Sequence, residues 1–319
     1  MSNVAEHPSR IPGVEGHDDK KDPRAKIHDL IRGFLHRCHY HSPQSKQDDE
    51  LRAWLTEQIR QWALELSPEF IAKAVDACCI YVETVYGHNP PEHRRYIALY
   101  SACMMYADDL SGDDPESITR FAQRFATGEE QPNVILECLA KHLRRAYSLW
   151  PQFGADSIIT GTMDALSANH IERTTRRMHV KPHAVRYPMY LRLRAGISGP
   201  YTHFVFPNTW RKTPESYIQI IPDFDYWTLG TNDILSFYKE ELAGEKTNYI
   251  HLRAAAEQRS IEDTLSRLVE EVLATASRVK TITADDKELS DIWNRYTQTY
   301  LEFHLKTERY RLSELGFHP

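Results

Sequence analysis

The chain is poor in the residues that build phosphate loops, disulfide scaffolds and membrane spans. Glycine supplies 13 of 319 residues, and no glycine-rich phosphate loop or internal repeat appears, which sets aside P-loop, dinucleotide-binding and solenoid architectures. The five cysteines, Cys38, Cys78, Cys79, Cys103 and Cys138, form no C-x-x-C pair. An odd, unpatterned set reads as reduced core thiols rather than a disulfide framework. His36, Cys38, His39 and His41 lie close together, but their spacing matches no standard zinc pattern. No signal peptide or transmembrane span is visible, so the expectation is a cytoplasmic protein with no membrane partner. Positive charge is not in excess: Lys and Arg total 39 against 45 Asp and Glu, a net charge of −6. That balance offers no overall attraction to nucleic acid.

Hydrophobic residues make up 41% of the chain, enough for a substantial core, and β-branched runs are few. Long amphipathic stretches dominate, so the expected class is all-α. The pattern predicts helices over 23–37, 47–66, 67–86, 89–110, 115–128, 131–149, 153–179, 184–206, 214–243, 258–281 and 285–311. Pro188, Gly196 and Gly199-Pro200 interrupt the 184–206 stretch, and a break there would free backbone carbonyls. Residues 1–22 are polar and rich in Pro, Gly, His and charge and are expected to be disordered. Residues 23–319 are expected to form one helical domain.

Asn232, Ser236 and Glu240 stand at i, i+4 and i+8 in the run Asn232-Asp233-Ile234-Leu235-Ser236-Phe237-Tyr238-Lys239-Glu240. A helix of about 3.6 residues per turn stacks them on one face. An amide oxygen, a hydroxyl and a carboxylate are hard ligands, suited to Mg²⁺ and unsuited to zinc. A single carboxylate leaves the ion undercompensated, so it would still attract an anion, and Lys239 offers that anion a second positive charge. The same spacing also suits a solvated helix face. The apolar and aromatic flanks, Trp227, Leu229, Ile234, Leu235, Phe237 and Tyr238, favour the buried alternative.

A second acidic cluster, Asp108-Asp109-Leu110-Ser111-Gly112-Asp113-Asp114, ends the apolar helix that contains Tyr96 to Met105. Asp109 and Asp113 are one helical turn apart. Carboxylates at a helix C-terminus meet the negative end of the macrodipole, a conflict that a cation would relieve. An ordinary acidic turn, with Asp113 or Asp114 capping the next helix, fits the same residues.

Together the two motifs resemble the class I terpene cyclases, and the nearest likeness is to the fungal trichodiene synthase group. The likeness is carried by the Asn232–Glu240 stretch, by Tyr190-Leu191-Arg192-Leu193-Arg194-Ala195-Gly196 and by Arg309-Tyr310-Arg311-Leu312-Ser313-Glu314, and it covers roughly residues 95–315. The resemblance implies a class I terpenoid synthase helical bundle around a central apolar pocket, with three Mg²⁺ ions and the diphosphate of an isoprenoid bound at its mouth. It assigns Asp109, Asp113, Asn232, Ser236 and Glu240 to the metal. It assigns Arg192, Lys239, Arg309 and Tyr310 to the diphosphate, and Gly196 to a helix break whose carbonyl faces the substrate. Two departures stand out: Leu110 occupies the place of a second aspartate, and Ala195 stands where a polar residue is common.

Tyr100, Tyr300 and Phe303 are candidates for the aromatic wall that would stabilise a carbocation. The expected reaction is ionisation of farnesyl diphosphate and cyclisation to a sesquiterpene hydrocarbon or alcohol, with release of inorganic diphosphate. A shorter or longer prenyl diphosphate, a chain-elongating prenyltransferase and a non-catalytic helical relative are the alternatives. The asparagine–serine–glutamate form argues against the prenyltransferase, which normally carries two aspartate-rich motifs. A homodimer is compatible with the resemblance, and no sequence feature demonstrates one.

Overall fold

Prolines and short polar side chains mark where the helices begin. The computed structural model describes residues 23–62, 66–110 and 114–319; the expected disordered segment 1–22 lies outside them. The first four helices are α1 (Pro23–Arg37), α2 (Asp49–Arg60), α3 (Pro68–Val85) and α4 (Pro91–Leu110). The Asp48 side chain caps α2 by accepting from the Leu51 amide, and Ser67 caps α3 through the Phe70 amide. Proline at the first turn costs no hydrogen bond, because that amide has no partner within the helix.

The middle of the chain is broken more often than the hydrophobic pattern predicts. The stretch 115–128 is two short helices, α5 (Pro115–Thr119) and α6 (Phe121–Thr127), and 131–149 is α7 (Val134–Arg144) followed by α8 (Ala146–Leu149). The long α9 (Gln152–Thr175) follows, then α10 (Tyr187–Ala195) and α11 (Ser198–Phe204), which divide the 184–206 stretch. Short 3₁₀ turns at 214–216 and 218–220 lead into α12 (Ile221–Leu242). The helix α13 (Tyr249–Glu257), unforeseen in the sequence, is capped by Asn248 and separated from α14 (Ile261–Ile282) by Gln258 in a left-handed conformation, φ 55°. The last helix, α15 (Lys287–Lys306), stops short of Arg309 and Tyr310, which lie in a 3₁₀ turn. No strand occurs among the described residues.

Helix α12 runs through the centre. It packs on α14, on α10 and α11, on α15 with the 308–310 turn, and on α1. Helix α9 carries α10 and α11 together with the short helices α5, α6 and α8, while α3 lies between α2, α4 and α15. Close approach of α12 and α14 depends on Gly230: a methyl group there would lie 2.4 Å from Val272 Cγ2. Between α12 and α15 the rings of Phe224, Trp227, Trp293 and Tyr296 interlock, with the Phe224–Tyr296 centroids 4.4 Å apart. Each is fully buried, and burial of one such side chain is worth about 1.5–3 kcal/mol.

Candidate active site

The central helices line a cavity of about 340 Å³ with both aromatic and charged side chains. Tyr81, Tyr201, Tyr300 and Phe303 line it together with Met104 and Met105, and Asp108, Glu172, Arg192, Asn232, Arg309 and Tyr310 stand around its polar part. The rings pack edge to face: Tyr81 and Tyr201 centroids are 5.0 Å apart, Tyr81 and Phe303 4.5 Å. A second hollow of about 410 Å³ shares Glu172, Arg192 and Asn232 with it and adds Asp233, Glu240 and Asn248. Tyr300, Phe303, Arg309, Tyr310, Gly196, Arg192 and Asn232 thus line one cavity.

Tyr100 does not join them. It is fully buried, its hydroxyl is 2.9 Å from Thr162 Oγ1, and its ring packs against Tyr201 and Phe204. On α4 the residues that line the cavity are Ser101, Met104, Met105 and Asp108. Tyr100 falls at the edge of that stripe, about 100° from Ser101 and about 40° from Met104, and its ring turns into the helix packing instead. Asp109 lies in the last turn of α4, but its side chain, like the whole of Asp113, is outside the described residues. Asp108 accepts from Asn169 Nδ2 at 3.4 Å.

Asn232, Ser236 and Glu240 share one face of α12. Ser236 is 1% exposed, and its Oγ has no hydrogen-bond partner. A buried hydroxyl left unpaired is costly; Ser236 lines neither hollow, whereas Asn232 lines both and Glu240 the second. Glu240 lies two residues from the C-terminus of α12, where the macrodipole disfavours a carboxylate. Its Oε2 accepts from Asn248 Nδ2 at 2.9 Å, and Lys239 Nζ is 3.6 Å from Oε1. Lys239 also lies 6.0 Å from the centroid of the Tyr310 ring. Three oxygens on one helix face, one of them orphaned, fit a hard cation.

Arg192 closes the other side. Its Nη2 donates to Asn232 Oδ1 at 3.0 Å and lies 2.8 Å from Asp233 Oδ1, while Nε donates to Asp233 Oδ2 at 3.1 Å. Burial pushes the Asp233 carboxyl up to about 6, against the pull of the guanidinium. Burial also works against the charge of Arg192, but Asp233 outweighs it and holds the arginine above its ordinary value. Gly196 is required here for space: a methyl group would meet Leu229 Cδ2 at 2.3 Å and Arg192 Nη1 at 2.7 Å. Gly196 itself keeps a helical backbone, φ −77°, and the break falls on Ile197, at φ 55°. A β-branched residue in that region stores strain of about 1–3 kcal/mol, and Ile197 lines the cavity.

Four functional positions escaped the sequence reading. Asn248 holds Glu240 while capping α13. Glu172, on α9, lines both hollows, and burial raises its pKa, with Arg192 opposing and Asp108 adding to the rise. Ile197 carries the break. His304 is fully buried, accepts from Asn232 Nδ2 across 3.2 Å, and is pushed down to about 3 by burial, so it is neutral. Only His304 left a signal, one turn after Tyr300 on the same helix face.

The comparisons with known proteins agree with this geometry. Residues 46–317 match the model of the trichodiene synthase (TRI5) family. Terpene synthase BipA of Cochliobolus sativus is 30% identical over 293 residues, 90% of each chain. Alpha-cuprenene synthase COP6 of Coprinopsis cinerea is 27% identical over 98% of this chain and 95% of its own. Among solved structures, the linalool/nerolidol synthase of Streptomyces clavuligerus superposes with a TM-score of 0.63 over 83% of this chain and 99% of its own; at 12% identity it supports the fold alone. Helical fold, aromatic cavity and family match coincide, and the chain belongs to the trichodiene synthase family as a class I terpene synthase.

Proposed function

We propose that this protein is a Mg²⁺-dependent sesquiterpene cyclase that ionises farnesyl diphosphate and closes the resulting cation into a cyclic hydrocarbon or alcohol. The observation that carries the proposal is the partnerless Ser236 hydroxyl on one face of α12 with Asn232 and Glu240, Asn232 itself lining the cavity walled by aromatic rings. Asn232, Ser236 and Glu240 would hold one Mg²⁺. The carboxylates at the end of α4, Asp109 and Asp113 by resemblance, would hold the others. Bound Mg²⁺ supplies charge neutralisation that makes diphosphate a competent leaving group.

The chain's own residues carry the remaining work. Arg192, Lys239, Arg309 and Tyr310 bring positive charge and hydrogen-bond donors to the diphosphate as its C–O bond breaks and the electron pair leaves with oxygen. Burial pushes Tyr310 up to about 12, so it stays a protonated donor. Tyr81, Tyr201, Tyr300 and Phe303 present ring faces or edges instead of water; a well-placed ring face stabilises a cation by about 0.5–2 kcal/mol. Exclusion of water keeps the allylic cation alive long enough to cyclise. The cascade ends when a carbon next to the last cation gives up a proton, or when water adds to that cation and then loses one. The C15 chain length is favoured by the relative named for alpha-cuprenene.

The test is incubation with farnesyl diphosphate and Mg²⁺, with products read by gas chromatography–mass spectrometry. A cyclic C15 product that disappears with chelator and in Asn232→Ala and Glu240→Ala supports the proposal. Products from geranyl or geranylgeranyl diphosphate alone would move the substrate to C10 or C20. Equal product from wild type and both variants would remove the metal face from the mechanism.

A further inference from the structure

A carboxamide can be turned either way about its last torsion, and only its oxygen can hold a cation. The orientation of the Asn232 amide therefore decides whether the α12 face works, and two separate lines of donor–acceptor logic fix it. The first starts at Arg192. A guanidinium only donates, so the Asn232 atom 3.0 Å from Arg192 Nη2 must be the oxygen. Nδ2 is then the end that faces His304 Nε2 at 3.2 Å and the Tyr310 hydroxyl at 3.3 Å. The second line starts at Tyr300. Its backbone carbonyl only accepts, and it lies 2.8 Å from His304 Nδ1. Nδ1 must carry the proton, which leaves Nε2 as the acceptor that an amide Nδ2–H requires. The two lines meet at the Asn232–His304 contact with the same polarity.

We propose that His304 is a positioning residue: held as its Nδ1–H tautomer by the Tyr300 carbonyl, it keeps the Asn232 oxygen turned toward the cation side of α12. The ring is fixed in its slot, fully buried, with centroids 4.7 Å from Tyr300 and 4.3 Å from Tyr310. The division of labour with Arg192 follows from geometry. Arg192 holds the amide oxygen directly and is bound to Asp233 as well. A guanidinium drawn away to an incoming anion would give up the oxygen, whereas His304, buried on α15 and outside both hollows, would keep its contact. Tyr310 is a weaker second acceptor, because a phenol oxygen is less basic than an imidazole nitrogen and lies 3.3 Å from Nδ2. The metal-related half of this proposal rests on reading the α12 face as a cation site; the tautomer and the amide orientation do not.

Two measurements on the full chain separate those halves. Nitrogen-15 spectra of the imidazole in metal-free protein should show His304 protonated at Nδ1 and bare at Nε2; an Nε2–H tautomer or a charged ring overturns the proposal whatever the metal does. Calorimetric titration with Mg²⁺ and inorganic diphosphate is then compared across wild type, His304→Phe and His304→Gln. Phenylalanine keeps a ring but accepts nothing, and should weaken binding by roughly 10–100-fold. Glutamine can return an oxygen acceptor to Asn232 Nδ2, and should recover most of that loss. A purely structural role would show as lowered melting temperatures in both variants with unchanged binding, and would overturn the proposal. So would a glutamine variant as defective as phenylalanine. If wild type itself takes up no Mg²⁺ and diphosphate, the function proposed above fails, and the spectra still decide the orientation.

Discussion

Helices α4 and α12 bring carboxylates to the two adjoining hollows in the same unfavourable way, near a C-terminus where the helix dipole is already negative. Asp108 lies two residues from the end of α4, and Glu240 two residues from the end of α12. They differ in what surrounds the charge. Glu240 receives an amide donor from the cap of the following helix and a lysine from its own sequence neighbour. Asp108, among its contacts, accepts from Asn169 at 3.4 Å, at the long end of hydrogen-bond range. On α12 the carboxylate also shares its face with an amide and a hydroxyl, each fixed or freed by neighbouring helices. The comparison teaches that the same conflict with the helix dipole can be met by different neighbours: a cap amide and an adjacent lysine on α12, an asparagine from α9 on α4.

The largest effect should come from neutralising each carboxylate at constant shape. Glu240→Gln and Asp109→Asn should each lower product formation by roughly 10²–10³-fold, the order seen when a preorganised electrostatic partner is removed. Without Mg²⁺, each should melt slightly higher than wild type, because about 0.3–1 kcal/mol of dipole repulsion is relieved. A lower melting temperature in metal-free protein would break the parallel between the two helix ends.

The next effect isolates the scaffold. In Asn248→Asp the side chain can still cap α13 but no longer donates to Glu240, so turnover should fall about tenfold with little loss of helix stability. Asn169→Leu, the counterpart at α4, should cost less. Steady-state product assays on both variants would rank the two supports, and equal losses would erase the difference drawn here.

A third carboxylate on α12 has no counterpart on α4. Asp225, about two turns before Asn232, accepts from Thr202 Oγ1 at 2.6 Å, and burial pushes its pKa up from 3.8 to about 6, against the hydrogen bonds from Thr202 and Ser198. The folded protein therefore keeps this proton to a higher pH than the unfolded chain. Stability from this group is lost as pH rises from 3.8 through about 6. Asp225→Asn should raise the melting temperature at neutral pH and leave it nearly unchanged below about pH 4. A gap that does not widen across this interval would contradict the shift.

The smallest effect belongs to Tyr100. Tyr100→Phe removes only its contact with Thr162 and should cost about 1 kcal/mol of stability, read by denaturant unfolding, with an unchanged product profile. Tyr300→Leu, at the cavity wall, should alter the product ratios instead. A changed product profile in Tyr100→Phe would return that residue to the wall.

The α12 motif was legible because helix geometry is local: residues four apart share a face whatever the rest of the chain does. The aromatic wall was half legible for the same reason. Periodicity placed Tyr300 and Phe303 on a buried face, yet it could not say which buried face of α4 looks into a cavity and which into another helix, and Tyr100 fell on the wrong side. Asn248 and Glu172 were hidden, and of His304 only the shared face with Tyr300 could be read, because each faces residues of another helix. Their chain separations from their partners, 8 residues for Asn248–Glu240 and 72 for His304–Asn232, leave no fixed spacing to read.

By itself the sequence determined the helical class, most helix starts and the oxygen-bearing face of α12, since these follow from propensity, capping and a period of about 3.6 residues. Tertiary structure alone decided that the Ser236 hydroxyl stands unpaired, that Arg192 lies across Asn232 and Asp233, that Gly196 provides room while Ile197 makes the turn, and that the Asn232 oxygen faces Arg192. Each of these depends on which atoms of distant helices come within about 3 Å, and only the packed fold sets those distances.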